Sequence, residues 1–166
     1  MTAQDARHYA VPDPTTGDMT YWRRDARRRL KAWPTKPQAH HGPQLWHKLT
    51  REPGPHDHIV PAGLGPREQE VWVPDWYLTV RHPWLRAIEA VIEADPEAAM
   101  ARFSVWCMRC ACCGRVLRDA DSKALGVGPE CRPGFPDEIL RAIARQVSTL
   151  HVTAASRETG EKPLAA

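Results

Sequence analysis

The period of the apolar positions changes along the chain, and the changes divide it. Tyr9-Ala-Val-Pro-Asp-Pro and Met19-Thr-Tyr-Trp22 are rich in strand-favouring residues, and Thr15-Thr-Gly-Asp18 between them has the composition of a turn. This predicts an N-terminal β-hairpin. A third run, Arg28-Arg-Leu-Lys-Ala-Trp33, is read as a further strand in preference to a basic helix over residues 21–32. Residues 35–65 are dense in Pro, Gly and His, have no usable period, and read as an extended connection. From Pro66 onward the pattern is helical. Glu68 and Glu70 sit in a first turn, where acids suit the positive end of a helix, and Pro74 predicts a kink or break. Trp84, Leu85, Ile88, Val91 and Ile92 form one face of a second helix opened by Pro83. Asp95-Pro96 reads as the cap and first-turn proline of a third, which carries Ala99, Met100, Phe103 and Trp106 toward the cysteines. A last helix from Pro136-Asp-Glu uses Ile139, Leu140, Ile143 and Val147, and its polar continuation after residue 152 is expected to fray.

The expected fold class is therefore α+β and mostly α-helical. A β-hairpin element (1–34) leads through the connection (35–65) to a helical domain (66–150), with a small zinc module at 107–135 and a flexible tail at 151–166. An apolar share of 42% argues against wholesale disorder. A net charge of +3 is mildly basic and by itself weak evidence for any partner. No apolar run reaches the roughly 18 residues of a membrane span. The first 20 residues include Asp5, Asp13 and Asp18 and lack the apolar stretch of a secretory signal. All five cysteines fall within residues 107–131. An odd number clustered this tightly reads as metal ligation in a reducing compartment, with the cytoplasm as the expected location.

Cys110 and Cys113 form a Cys-x-x-Cys pair followed by Gly114, a spacing that lets two thiolates reach one metal from a tight turn. Cys131 supplies a third from a distant loop. Cys107, one helical turn before Cys110, is the expected fourth, with Cys112 and His151 as alternatives. The expected cofactor is one structural Zn2+ in a knuckle of treble-clef or ribbon-like form, worth roughly 10–16 kcal/mol of apparent binding free energy in small zinc peptides. Asp121 and Ser122 are candidates to cap a short turn or to bond a ligand sulfur. The pair His56-x-His58, with His40, His41 and His47 nearby, is a weaker candidate for a second metal site. The pattern Cys110-x-x-Cys113-Gly-Arg-x-Leu117, then Asp121-Ser122, then Gly126-x-Gly-Pro129-x-Cys131 resembles a domain family of unknown function found in bacterial and phage proteins. That resemblance implies a short zinc-binding module following a helix and a fourth ligand just upstream of the Cys-x-x-Cys, a role that Cys107 matches. It implies no activity.

Residues 22–31 hold Arg23, Arg24, Arg27, Arg28, Arg29 and Lys31 against Asp25 alone, with Trp22 and Trp33 flanking. Arginines beside aromatics can hold phosphates and stack bases. The segment 107–135 has five bases and three acids, so four thiolates and one zinc bring it near neutrality. A grip on phosphate must then come from particular arginines, Arg115 among them, or from the N-terminal run. No hydrolase nucleophile, phosphate loop or carboxylate pair stands out, and an all-cysteine zinc site is normally closed to catalysis. The sequence thus favours a non-enzymatic module binding DNA or RNA. The competing class is a protein-interaction adaptor that presents the zinc module and Trp72, Trp76 and Trp84.

Overall fold

The structure is a computed structural model and describes residues 7–25, 27–34 and 41–159. Strands β1 (Arg7–Pro12) and β2 (Met19–Arg24) pair antiparallel, with His8 opposite Arg23 and Tyr9 opposite Trp22. The turn between them is built on Asp13, whose carboxylate accepts the amides of Thr15 (2.7 Å) and Thr16 (3.2 Å). Strand β3 (Leu30–Ala32) pairs with β2, so the expected hairpin grows into a sheet of order β1-β2-β3 and the basic-helix alternative falls away. The β2–β3 turn is held by Asp25, which accepts the amides of Arg27 and Arg29. Ala26 and residues 35–40 and 160–166 lie outside the described residues, and His40 and much of the expected tail with them.

Helix α1 (Pro66–Trp76) contains Pro74 and runs through a π-helical turn, Tyr77–Arg81, into α2 (His82–Ala94). The boundary expected at Pro83 is thus a change of pitch. The His82 amide bonds Tyr77 O, five residues back. That widening gives room where the Pro83 ring would crowd the carbonyl four residues earlier. Asp95 accepts the Ala98 amide (2.8 Å) and opens α3 (Pro96–Cys107). A short helix, α4 (Ala120–Leu125), is followed by α5 (Asp137–Thr159). α5 continues past residue 151 because no glycine or proline interrupts the chain before Gly160. No helix among the described residues is long and apolar enough to cross a membrane.

Helix α3 is the centre of the core. Ala98, Ala99, Met100, Ala101, Phe103 and Ser104 are all buried, a near-complete circumference rather than one stripe. Its alanines let β1 and α5 approach closely. The rings of His8, Tyr21 and Trp33 pack on Phe103 from the sheet, at centroid distances of 5.0, 6.4 and 5.0 Å. Trp22 faces α2 instead and meets Trp84 at 5.8 Å. Trp76 and Trp84, expected on a surface, are 5% and 6% exposed. Their burial corrects the expected tryptophan face and leaves Trp72 as its half-exposed member.

The described part of the Pro/Gly/His connection is ordered by side chains rather than by period. Strands β4 (Gln44–Trp46) and β5 (Asp57–Ile59) pair in parallel. Asp57 accepts the Trp46 indole N–H and the Gly54 amide and pairs with Arg51. Buried Asp13 reaches His56 Nε2 (2.6 Å) and Trp84 Nε1 (3.3 Å), fastening the connection to the sheet and to α2. Gly42, at φ +73°, lies so close to the Trp84 indole that a Cβ would stand 2.5 Å from it.

His8 makes the fold sensitive to acid. It is 3% exposed, and its Nδ1 donates to Cys112 O at 3.0 Å. Burial pushes the imidazole down to about 4 from an ordinary 6.5; the bond to Cys112 opposes the shift and Arg23 adds to it. The folded state keeps His8 neutral where the unfolded chain takes up a proton. Its contribution is therefore fully present above pH 6.5 and is lost as pH falls toward 4, by up to about 3 kcal/mol. Urea unfolding at several pH values should show this decline, and His8→Gln should flatten it.

Candidate metal centre

The centre starts where α3 stops. Met108 takes a left-handed conformation (φ +53°) and reverses the chain. Residues 109–116 then form a minimal hairpin, with Arg109 bridged to Val116, Cys110 N bonded to Arg115 O and Leu117 N to Met108 O. Gly114, at φ +74°, closes the turn and returns its amide to Cys110 O. This is the tight turn that the Cys-x-x-Cys-Gly spacing predicts.

The third cysteine arrives through α4. Asp119 caps that helix by accepting the Ser122 amide (2.8 Å), the task expected of Asp121 or Ser122. The Ser122 hydroxyl instead accepts from Arg132. Gly126 ends α4 at φ +68°, pressed so close to α3 that a Cβ would lie 2.7 Å from Ser104 Oγ. From there Gly126 O accepts the Ala111 amide and Gly128 N donates to Cys110 Sγ (3.3 Å). Cys131 follows, ahead of a 3₁₀ turn, Arg132–Gly134.

The ligand atoms of Cys110, Cys113 and Cys131 all lie within 4.8 Å of one another, a group that can hold a metal ion. Tetrahedral zinc with bonds near 2.3 Å needs sulfurs about 3.8 Å apart, so a contraction of about 1 Å at most closes the site. Burial raises the Cys110 thiol, but the amides of Gly128, Cys113 and Cys112 outweigh it and hold the thiol below its ordinary value. Cys131 goes the other way, pushed up by burial and then by the neighbouring charge of Cys110. One thiolate is therefore favoured and a second is penalised until a cation joins them.

Cys107 does not join this group among the described residues. The helical spacing that suggested it ends at Cys107 itself, because Met108 turns the backbone away. Burial pushes its thiol up to about 11. Cys112 is buried, with its thiol beside Cys131 on one side and 3.5 Å from Arg7 Nη1 on the other. His151 lies on an exposed stretch of α5. His56 and His58 form no metal group among the described residues; His56 bonds Asp13 and His58 packs on Trp76.

The basic run is partly neutralised from within. Asp25 pairs with Arg29 (3.0 Å) and Lys31 (3.4 Å), and Arg24 points to Glu93 (3.8 Å). Arg23, Arg27 and Arg28 make no ion pair among the described residues. Arg115 pairs with Glu130 rather than Asp119. The sequence did not reveal how β1 joins the two regions. The His8 amide donates to Ala111 O (2.7 Å), fastening the free edge of β1 to the knuckle while its other edge pairs with the strand that carries Arg23 and Arg24. No local pattern signals such a contact.

Cys110→Ser and Cys131→Ser should each abolish uptake of one equivalent of a soft divalent metal and expose residues 107–135 to hydrogen exchange. Metal-free protein should show the same exposure. Native protection of that segment without metal would contradict the metal's role in holding it.

Residues 100–136 match the model of a Family of unknown function (DUF6011), a stretch that runs from α3 through all three grouped cysteines. No curated protein and no solved structure matches the chain significantly.

Proposed function

We propose that Cys110, Cys113 and Cys131 hold a structural Zn2+ and that the stabilised module is a non-enzymatic binder of nucleic acid. Thiolate donors select soft or borderline metals, and a closely spaced all-sulfur set suits zinc. The acids near the sulfurs have other tasks: Asp119 caps α4 and Glu130 pairs with Arg115. One observation carries the nucleic-acid reading: β1 is hydrogen-bonded on one edge to the knuckle and on the other to the basic strand. The metal would then rigidify the platform bearing Arg23, Arg27 and Arg28. Trp33 packs on Phe103 and under the Arg109 guanidinium, 5.7 Å from its ring centroid, so it ties the basic strand to the knuckle.

The adaptor reading draws on α1 and the turn after it, where Val71 and Leu78 are 72% and 60% exposed beside Trp72. Fluorescence anisotropy against short single- and double-stranded DNA and RNA separates the two. Zinc-loaded protein is expected to bind at low salt and release as salt rises. Replacing Arg27, Arg28 and Arg29 by Ala should weaken binding about tenfold or more and reduce the salt slope by about 2–3. Asp25→Asn should tighten binding, since it keeps a turn acceptor while freeing Arg29 and Lys31. Absence of binding at low salt would move the reading to a protein partner.

A further inference from the structure

The three sulfurs are held on one side of an open cleft of about 210 Å³. Leu117, Val116 and Pro129 give the cleft an apolar wall, and Arg115 and Glu130, both largely exposed, pair at its rim. Cys110, Cys113 and Cys131 line it; Cys107 and Cys112 do not. Cys112 lies between Cys131 and Arg7, outside the cleft lining and outside the group of three. Among the described residues no imidazole, carboxylate or further thiol stands within reach of all three sulfurs. A tetrahedral ion bound to them would present its remaining vertex either to Cys112 or to the cleft.

We propose that the vertex faces the cleft and is completed by a low-molecular-weight thiolate from outside the chain. This rests on the reading of the three cysteines as a metal site. A soft metal already held by three sulfurs favours a fourth soft, anionic donor. The apolar wall accommodates the carbon skeleton of a small thiol while its sulfur reaches the ion. A thiol entering this way would give its proton to solvent and its sulfur to the ion, with no change in oxidation state. The site would then sense or carry a small thiol through an exchangeable position, on a module whose fold the other three bonds maintain.

Cobalt substitution of the full chain tests this, because the thiolate-to-Co2+ charge-transfer intensity counts the sulfurs bound. In thiol-free buffer the protein should show three thiolates, and 2-mercaptoethanol should raise the intensity to four. Cys107→Ser and Cys112→Ser should leave both spectra unchanged. A four-thiolate spectrum before any thiol is added, falling to three in Cys112→Ser or Cys107→Ser, would overturn the open vertex. A three-thiolate spectrum that 2-mercaptoethanol leaves unaltered would overturn the ligand class. Failure of the chain to take up Co2+ at all would remove the underlying metal site, a result distinct from both.

Discussion

The free edge of β1 needs a partner, and the knuckle needs a support. An unpaired strand edge exposes backbone donors and acceptors that invite other chains. A short hairpin followed by a six-residue helix has too little apolar surface to hold itself. The bond from the His8 amide to Ala111 O answers both needs, reinforced by His8 Nδ1 on Cys112 O. The His8 ring then stacks on Phe103, at 5.0 Å between centroids, so the same residue ties strand, knuckle and α3 together. Elements separated by about a hundred residues in sequence thereby share one core.

Charge divides the molecule into regions with different requirements. The three grouped sulfurs sit where amide donors favour a first thiolate and burial disfavours the next, so full ionisation depends on a cation. Across β1 the requirement reverses: Arg23, Arg27 and Arg28 are exposed and pair with no carboxylate among the described residues, while Asp25 restrains their neighbours. Backbone amides and the Arg29 side chain hold the Asp25 carboxyl at about 2, so it is charged at neutral pH. The basic surface is consequently set by geometry as well as composition.

Asp13 plays a comparable part on the other side of the sheet. Burial opposes its ionisation, but the amides of Thr15 and Thr16, the Trp84 indole and His56 keep its carboxyl below the ordinary range. Four partners from the β1–β2 turn, the proline-dense connection and α2 converge on one side chain. A connection with no hydrophobic period is thus held down by polar anchors, Asp13 at one point and Arg81, which donates to the carbonyls of His41 and Pro43, at another.

The sequence by itself determined the features that arise over a few residues. Asp95-Pro96 set the start of α3, Cys110-x-x-Cys113-Gly114 set the knuckle turn, and Gly17 with Thr15 and Thr16 set the first hairpin. Capping, left-handed glycine and turn spacing act locally, so they can be read locally. Only the tertiary structure decided what meets across the chain. It left Cys107 outside the sulfur group, because the helix ends between Cys107 and Cys110. It buried Trp76 and Trp84, which had promised a surface, and joined the helix that opens at Pro83 to its predecessor through a π turn. It also placed His8 against Cys112 and His56 against Asp13. Such pairings depend on which faces come together once many weak contacts are satisfied at once, and no short window of sequence contains that sum.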